Sequence, residues 1–193
     1  MRDALYRLKR EGYLEVAFRS GWSVKPFDFA RFDELYDLRT ILECAAVERL
    51  CQRTPTIALP RLEEAWLVPA AARETDPIRA AELDERFHSE IVAAAGNAET
   101  AAVHLQITEK IRVIRRLDSL KPPRVAATYD EHAQILRMIL RRRQGDATML
   151  LRAHIEESKT EVRKITLHML YEARAAMQSQ LARSSSEAAA PAV

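Results

Sequence analysis

The sequence predicts an all-α protein, a six-helix antiparallel bundle preceded by one helix and a β-hairpin. Three observations carry that prediction. Only four glycines interrupt 193 residues rich in Ala, Leu, Glu and Arg, which are strong helix formers. Apolar residues recur at helical spacing along most of the chain and alternate only briefly, between residues 13 and 26. Short junctions marked by Pro, Gly or Asn separate the helical runs.

Composition narrows the function classes. A hydrophobic content of 48% beside 30% charged residues describes a soluble domain with a real core. The net charge of +2 is too balanced to argue for nucleic acid, so any such claim rests on local charge. Cys44 and Cys51 stand seven apart on one helix, about 10 Å between α-carbons, too far to bridge. They read as free cytosolic thiols. With no apolar run of membrane-spanning length and a charged N-terminus, the expected location is the cytoplasm, away from membranes.

The first helix, from Arg2 to Glu11, places Ala4, Leu5 and Leu8 on one face and Arg2, Arg7, Lys9 and Arg10 on the others, and Gly12 stops it. Tyr13–Ala17 and Trp22–Pro26 then read as a hairpin around Phe18-Arg19-Ser20-Gly21. A basic helix leading into a hairpin has the form of the back half of a winged helix-turn-helix, and residues 1–27 are assigned to it. Residues 28–182 form the helical domain, and a serine- and alanine-rich tail, 183–193, is expected to be disordered.

Within the helical domain, Asp28 opens a long helix with Phe32, Leu35, Leu38, Leu42, Ala45, Ala46 and Leu50 as its apolar face. A second helix is expected from Pro60 to about Arg73, with Leu59, Leu62, Ala65, Trp66 and Ala70 inward. Asp76-Pro77 starts a third, which Gly96-Asn97 ends. A fourth runs from about Glu99 to Leu117 on Val103, Ile107, Ile111 and Ile114. A fifth begins near Arg124, and a sixth spans about Asp146 to Leu181.

The third helix carries the most chemistry. Ala80, Ala81, Asp84, Phe87, His88, Ile91 and Ala95 share one stripe, so a carboxylate and an imidazole four residues apart project from the apolar face. A buried carboxylate is costly unless it is paired or bound to a metal. The fifth helix presents His132 among Val125, Ile135, Leu136 and Ile139. The sixth presents His154 among Ala147, Leu150, Leu151, Val162 and Ile165. One inward histidine is an ordinary core residue, but three with an inward aspartate form a possible metal site for Zn, Ni, Mn or Fe. His104, one position off its stripe, and His168, expected to be exposed, are left out of it.

These motifs resemble a known family. Arg2-Asp3-Ala4-Leu5-Tyr6-Arg7-Leu8-Lys9-Arg10-Glu11-Gly12-Tyr13-Leu14 resembles the end of the recognition helix and the first wing strand of GntR-family transcriptional regulators. Met1 stands where a hydrophobic residue normally precedes the arginine. On this resemblance the first two helices of the DNA-binding domain are absent, and weak DNA binding is expected of the chain as given. Asp33-Glu34-Leu35-Tyr36-Asp37-Leu38-Arg39-Thr40-Ile41-Leu42-Glu43 is similar to the opening of the FadR C-terminal (FCD) ligand domain. So are Asp84-x-x-Phe87-His88, Ala95-Gly96-Asn97, Glu131-His132-x-x-Ile135 and Arg152-Ala153-His154, which match the domain's metal-binding branch. One local departure is Arg142-Arg143 at the turn where the family has Gly-Asp, with Gly145-Asp146 three residues later.

The resemblance implies a homodimeric regulator and no enzyme. It implies that Asp84, His88, His132 and His154 hold a divalent metal, Zn or Ni before Mn or Fe, and that a small organic acid sits in the adjoining cavity. Arg39 either helps to hold that anion or forms a salt bridge with Glu43. Arg2 is the position best placed to contact an operator, with Arg19, Ser20 and Gly21 at the wing tip. The alternative is a metal-dependent hydrolase in a helical bundle. Against it, the sequence shows no second inward carboxylate, no His-Asp dipeptide and a single Glu-x-x-His, Glu85-x-x-His88.

Overall fold

The computed structural model describes residues 2–11, 13–17, 21–54, 58–119 and 122–188. Helix α1 (Arg2–Glu11) leads into an antiparallel hairpin of β1 (Leu14–Ala17) and β2 (Gly21–Val24), in which Leu14 faces Val24 and Ala17 faces Gly21. Gly21 opens β2 at φ +78°, a conformation costly for any residue with a Cβ. The Tyr6 ring meets Trp22 edge-on at 5.4 Å and ties α1 to the hairpin.

Six α-helices follow: α2 (Phe29–Gln52), α3 (Pro60–Trp66), α4 (Pro77–Ala94), α5 (Ala98–Ser119), α6 (Pro122–Leu140) and α7 (Gln144–Ala188). Their ends follow from local chemistry. Asp28 accepts from the Arg31 N–H to cap α2, and Asp76 accepts from the Arg79 N–H to cap α4. Gly96, at φ +79°, donates its N–H to the Ala93 carbonyl, and Asn97 accepts from the Thr100 N–H. Two adjacent residues therefore end α4 and start α5. At the turn after α6, Arg142 takes the left-handed position that glycine usually fills, at φ 58°. Its Nε donates to the Cys51 carbonyl at 2.9 Å, so an interhelical bond accompanies the strained backbone.

Helices α2, α4, α5, α6 and α7 pack around a core that includes Tyr36, Val47, Phe87, Ile91, Ile135, Leu136 and Leu151. Cys44 and Cys51 are buried and unbridged. No described helix is long and apolar enough to cross a membrane.

Four expectations change. The helix expected through Arg73 stops at Trp66, because Pro69 has no N–H to extend it; Ala70 is exposed, in a short 3₁₀ turn. On α2 the buried stripe is Phe32, Tyr36, Arg39, Glu43, Val47 and Leu50, while Leu38 and Ala45 face out. On α5 Val103 is exposed and His104, Ile107, Thr108, Ile111 and Arg115 point in. In both cases paired polar and charged groups share the inward face with the apolar residues, at the cost of exposing some of the expected stripe. Finally, α7 continues past Leu181 to Ala188, since nothing before Pro191 breaks it. Residues 183–188 of the expected disordered tail are thus helical, and 189–193 lie outside the described residues.

Candidate metal centre

Asp84, His88, His132 and His154 converge from α4, α6 and α7, each offering a ligand atom within 4.8 Å of the others. The Nε2 atoms of His132 and His154 lie 3.2 Å apart, and those of His154 and His88 3.3 Å apart. Asp84 Oδ1 stands 3.5 Å from His132 Nε2 and 3.6 Å from His88 Nε2. Donors bound at about 2.1 Å to one ion stand roughly 3–4 Å from each other, so these separations suit a single small cation.

The surroundings fix which nitrogens face inward. His88 Nδ1 meets Glu43 Oε2 at 2.6 Å, and His154 Nδ1 meets Glu131 Oε2 at 2.5 Å. A ring that donates from Nδ1 to a carboxylate presents a bare lone pair at Nε2. Two lone pairs 3.3 Å apart repel unless something positive lies between them. The donor set therefore fits a divalent ion, and three imidazoles with one carboxylate favour Zn or Ni over Mn. His132 is held differently. It stacks on Phe87 with centroids 3.7 Å apart and planes 8° from parallel, it meets Trp66 edge-on, and its Nδ1 has no hydrogen-bond partner among the described residues.

Glu43, named from the sequence only as a possible salt-bridge partner of Arg39, forms that bridge and also belongs to the cluster. It is fully buried, and Oε1 accepts from Arg39 Nε at 2.6 Å and pairs with His104 Nε2 at 2.9 Å, while Oε2 holds His88. The expectation of no second inward carboxylate is corrected by this residue: Arg39 and two imidazoles offset its burial. Arg115, also buried, pairs with Asp84 Oδ2 at 2.5 Å, and Arg124 pairs with Glu131. His104, set aside on the sequence, is 1% exposed and belongs to this network. The usable signal was spacing: Arg39 and Glu43 are four apart on a face that also carries Tyr36 and Val47.

Electrostatics follow the pairing. Burial alone would raise the carboxyls of Asp84 and Glu43. The Arg115 guanidinium and neighbouring histidines hold Asp84 well below the usual range, and Arg39, His88 and His104 do the same for Glu43. Burial, reinforced by the His154 and His88 rings, pushes His132 well below its ordinary value. Burial likewise lowers His154 to about 4, with Glu131 opposing. Both imidazoles are neutral at pH 7, as metal ligands must be.

The remaining expected positions are spread out. Arg39 reaches the cluster only through Glu43 and His88. Its Nη1 and Nη2 are buried without a hydrogen-bond partner among the described residues. Arg2 and Gly21 are exposed at the N-terminal end, and Arg19 and Ser20 lie outside the described residues. His168 is exposed and pairs with Glu172.

The FCD domain family model matches residues 34–157. The chain belongs to the FCD domain family. The family recognised in the sequence is thus the one the comparisons return. The Nta operon transcriptional regulator of Aminobacter aminovorans is 27% identical over 165 residues, covering 86% of this chain and 77% of that protein. LgoR of Escherichia coli (strain K12), named a probable HTH-type transcriptional regulator, is 27% identical over 82% of the chain, which spans only 54% of LgoR. Among solved structures, E. coli McbR/YncC superposes with a TM-score of 0.64 at 15% identity, over 85% of this chain and 83% of that one. A GntR regulator from Rhodococcus sp. RHA1 gives 0.63 at 18%, over 84% and 78%. The metal-free FCD domain of TM0439 gives 0.59 at 19%, over 72% and 96%. These likenesses show the shared fold. The curated relatives are regulators, and the metal-dependent hydrolase weighed from the sequence finds no support among them.

Proposed function

We propose that this FCD protein is a cytoplasmic, ligand-responsive, DNA-binding transcriptional regulator that works as a homodimer. In this reading its helical domain holds one divalent metal through Asp84, His88, His132 and His154, and a small carboxylate effector binds beside it. The observation that carries the reading is the convergence of three Nε2 atoms on Asp84 Oδ1, with two of the rings backed by carboxylates, Glu43 fully buried and Glu131 half-buried. The metal would supply a positive centre with open coordination positions, suited to an oxygen anion. Asp84 and the imidazoles hold that centre, Glu43 and Glu131 orient the rings, and Arg39 adds positive charge on the α2 side.

The arrangement also suggests how binding reaches DNA. A crevice against Asp84, lined by Trp66, Ala80, Val125, Thr128 and Tyr129, has a volume of about 10 Å³, room for about one water. An effector must therefore part the helices to enter, which favours one arrangement of the bundle over another. Helix α5 turns His104 and Arg115 toward the cluster, and its Lys110 carbonyl accepts from the Tyr13 hydroxyl at the foot of the hairpin, at 2.8 Å. One helix thus touches both the site and the reading head. In the head, Arg2 and the wing residues Arg19, Ser20 and Gly21 are the proposed DNA contacts, with the arginines on phosphates supplying salt-sensitive affinity.

Elemental analysis of protein purified without chelator tests the centre. About one divalent metal per chain is expected, lost in Asp84→Ala and in His132→Ala. A chain that takes up neither Zn nor Ni when these are supplied contradicts the metal part of the proposal. Regulation is tested by an operator shift with and without organic acids, in which a metal-dependent response is expected.

A further inference from the structure

We propose that residues 59–73 form a strap that gates the metal centre, with the Trp66 ring as the gate. The proposal takes its ion from the metal reading above, while the opening itself is measurable without metal.

The closed state comes first. His88, His132 and His154 are no more than 4% exposed, and the crevice against Asp84 holds about one water. A hydrated cation cannot reach the Nε2 atoms unless a wall of that crevice moves. Ala80 and Asp84 belong to α4, and Val125, Thr128 and Tyr129 to α6. These long helices also supply Phe87, Ile91, Ile135 and Leu136 to the core, so displacing either one opens close packing. The remaining wall is Trp66, the last residue of the seven-residue α3. It is the wall that moves with least disruption.

The strap is lightly held. Within α3 only Leu62 and Trp66 are buried, and its N-cap, Leu59, makes no side-chain cap bond. A helix this short depends on packing for its stability. The 3₁₀ turn after it buries no residue. Then come two ties to α6. The Glu74 N–H donates to the Tyr129 hydroxyl at 3.0 Å. Arg73 pairs with Asp130 at 2.6 Å and sets its guanidinium 5.3 Å from the Tyr129 ring. Together they form a latch beside the crevice. An open groove of about 370 Å³ lies between α3 and α4, and Leu62, Ala65, Leu83 and Phe87 line it together with Trp66. Trp66 therefore partitions a nearly filled crevice that reaches Asp84 from a roomy groove. The indole also meets His132 edge-on, with centroids 4.3 Å apart. Lifting it releases the ligand ring whose Nδ1 has no hydrogen-bond partner among the described residues.

The test measures opening and zinc exchange in the whole chain. Hydrogen exchange followed by mass spectrometry, with no metal present, should show α3 amides exchanging at least about tenfold faster than those in the middle of α4 and α6. Tyr129→Phe keeps the ring and removes the latch hydroxyl. It should speed α3 exchange about three- to tenfold, the range for one neutral hydrogen bond. Zinc uptake and zinc release should both rise by that same factor, because both pass through the opened strap, and affinity should stay within about twofold. Arg73→Gln, which removes the other tie, should act in the same direction. The proposal is overturned if α3 exchanges as slowly as the middle of α4 and α6, or if neither variant changes the zinc rates. It is also overturned if release speeds up while uptake does not, since that marks a residue that holds the ion. A chain that takes up no zinc overturns the metal reading. The strap then stands if α3 exchange is fast and responds to Tyr129→Phe, and falls if it does not.

Discussion

The histidines of the cluster are held in two ways. His88 leans on the buried Glu43 and His154 on the half-buried Glu131, and each carboxylate fixes both the ring plane and the nitrogen that carries the proton. His132 leans on rings, stacked on Phe87 and edge-on to Trp66. Stacking fixes the plane but not the tautomer. The difference shows that the cluster is organised from its polar side, through α2 and Glu131, and only shaped from its aromatic side.

The largest way to break that organisation is to strand a charge. Asp84→Ala leaves Arg115 buried without its principal partner, and one-sided loss of a buried pair costs about 3–5 kcal/mol. His132→Ala removes a ligand without stranding a charge. In metal-free protein, urea denaturation should therefore place Asp84→Ala well below His132→Ala, although both lose the metal. Equal midpoints would mean that Arg115 finds another anion and that the pair contributes little.

Milder changes sharpen the comparison. Glu131→Gln keeps shape but weakens the hold on His154, and should lower zinc affinity about 10–100-fold in chelator competition. Phe87→Leu removes the ring stacked on His132, which also meets Trp66 and His88 edge-on, and leaves the carboxylate contacts in place. It should cost about 1 kcal/mol of stability and leave zinc affinity nearly unchanged. If Phe87→Leu weakens zinc as much as Glu131→Gln, the two sides of the cluster are equivalent after all.

The sequence showed one side of this site far better than the other. Asp84, His88, His132 and His154 stood out because titratable residues on apolar stripes are conspicuous, and the stripes of α4, α6 and α7 were read in the right phase. The stripes of α2 and α5 were read only in part: Phe32, Ala46, Leu50, Ile107 and Ile111 are buried as expected, but Arg39, Glu43, His104 and Arg115 also point inward, and hydropathy assigns such groups to solvent. Only their pairing makes burial tolerable, and apart from Arg39 and Glu43, four apart on one helix, that pairing runs between helices and has no local signature. The end of α3 was misjudged for a simpler reason: Pro69 was on the page, and its effect on the preceding turn was not applied.

Acid acts on both holding modes. His132 and His154 are buried neutral, with folded values below the ordinary value of about 6.5, His154 at about 4. As pH falls below about 6.5 the unfolded chain takes up protons that the folded chain refuses, so stability of the metal-free protein falls from there toward about pH 4. Asp84, Glu43 and Glu131 are lowered in the folded state, so their contribution is present above the ordinary carboxyl range and is lost as pH falls through their folded values. Both effects have the same sign. Denaturation midpoints of metal-free protein should decline between about pH 6.5 and 4, and Glu131→Gln, which takes away the group that opposes the lowering of His154, should extend that residue's share of the decline to lower pH. A flat profile across that window would show that these imidazoles are not held neutral.

The smallest expected effect separates the scaffold from the site. Asp76 caps α4 by accepting from the Arg79 N–H, two turns before Asp84 and on an exposed end of the helix. Asp76→Ala should cost about 1 kcal/mol, a typical value for a lost N-cap. Zinc stoichiometry and affinity should stay the same, because Glu43 and Arg115 position His88 and Asp84 from neighbouring helices and not from the start of α4. A clear drop in zinc affinity would mean that the helix end transmits fraying to the ligands, so that local helix stability as well as the carboxylate backing holds the cluster in place.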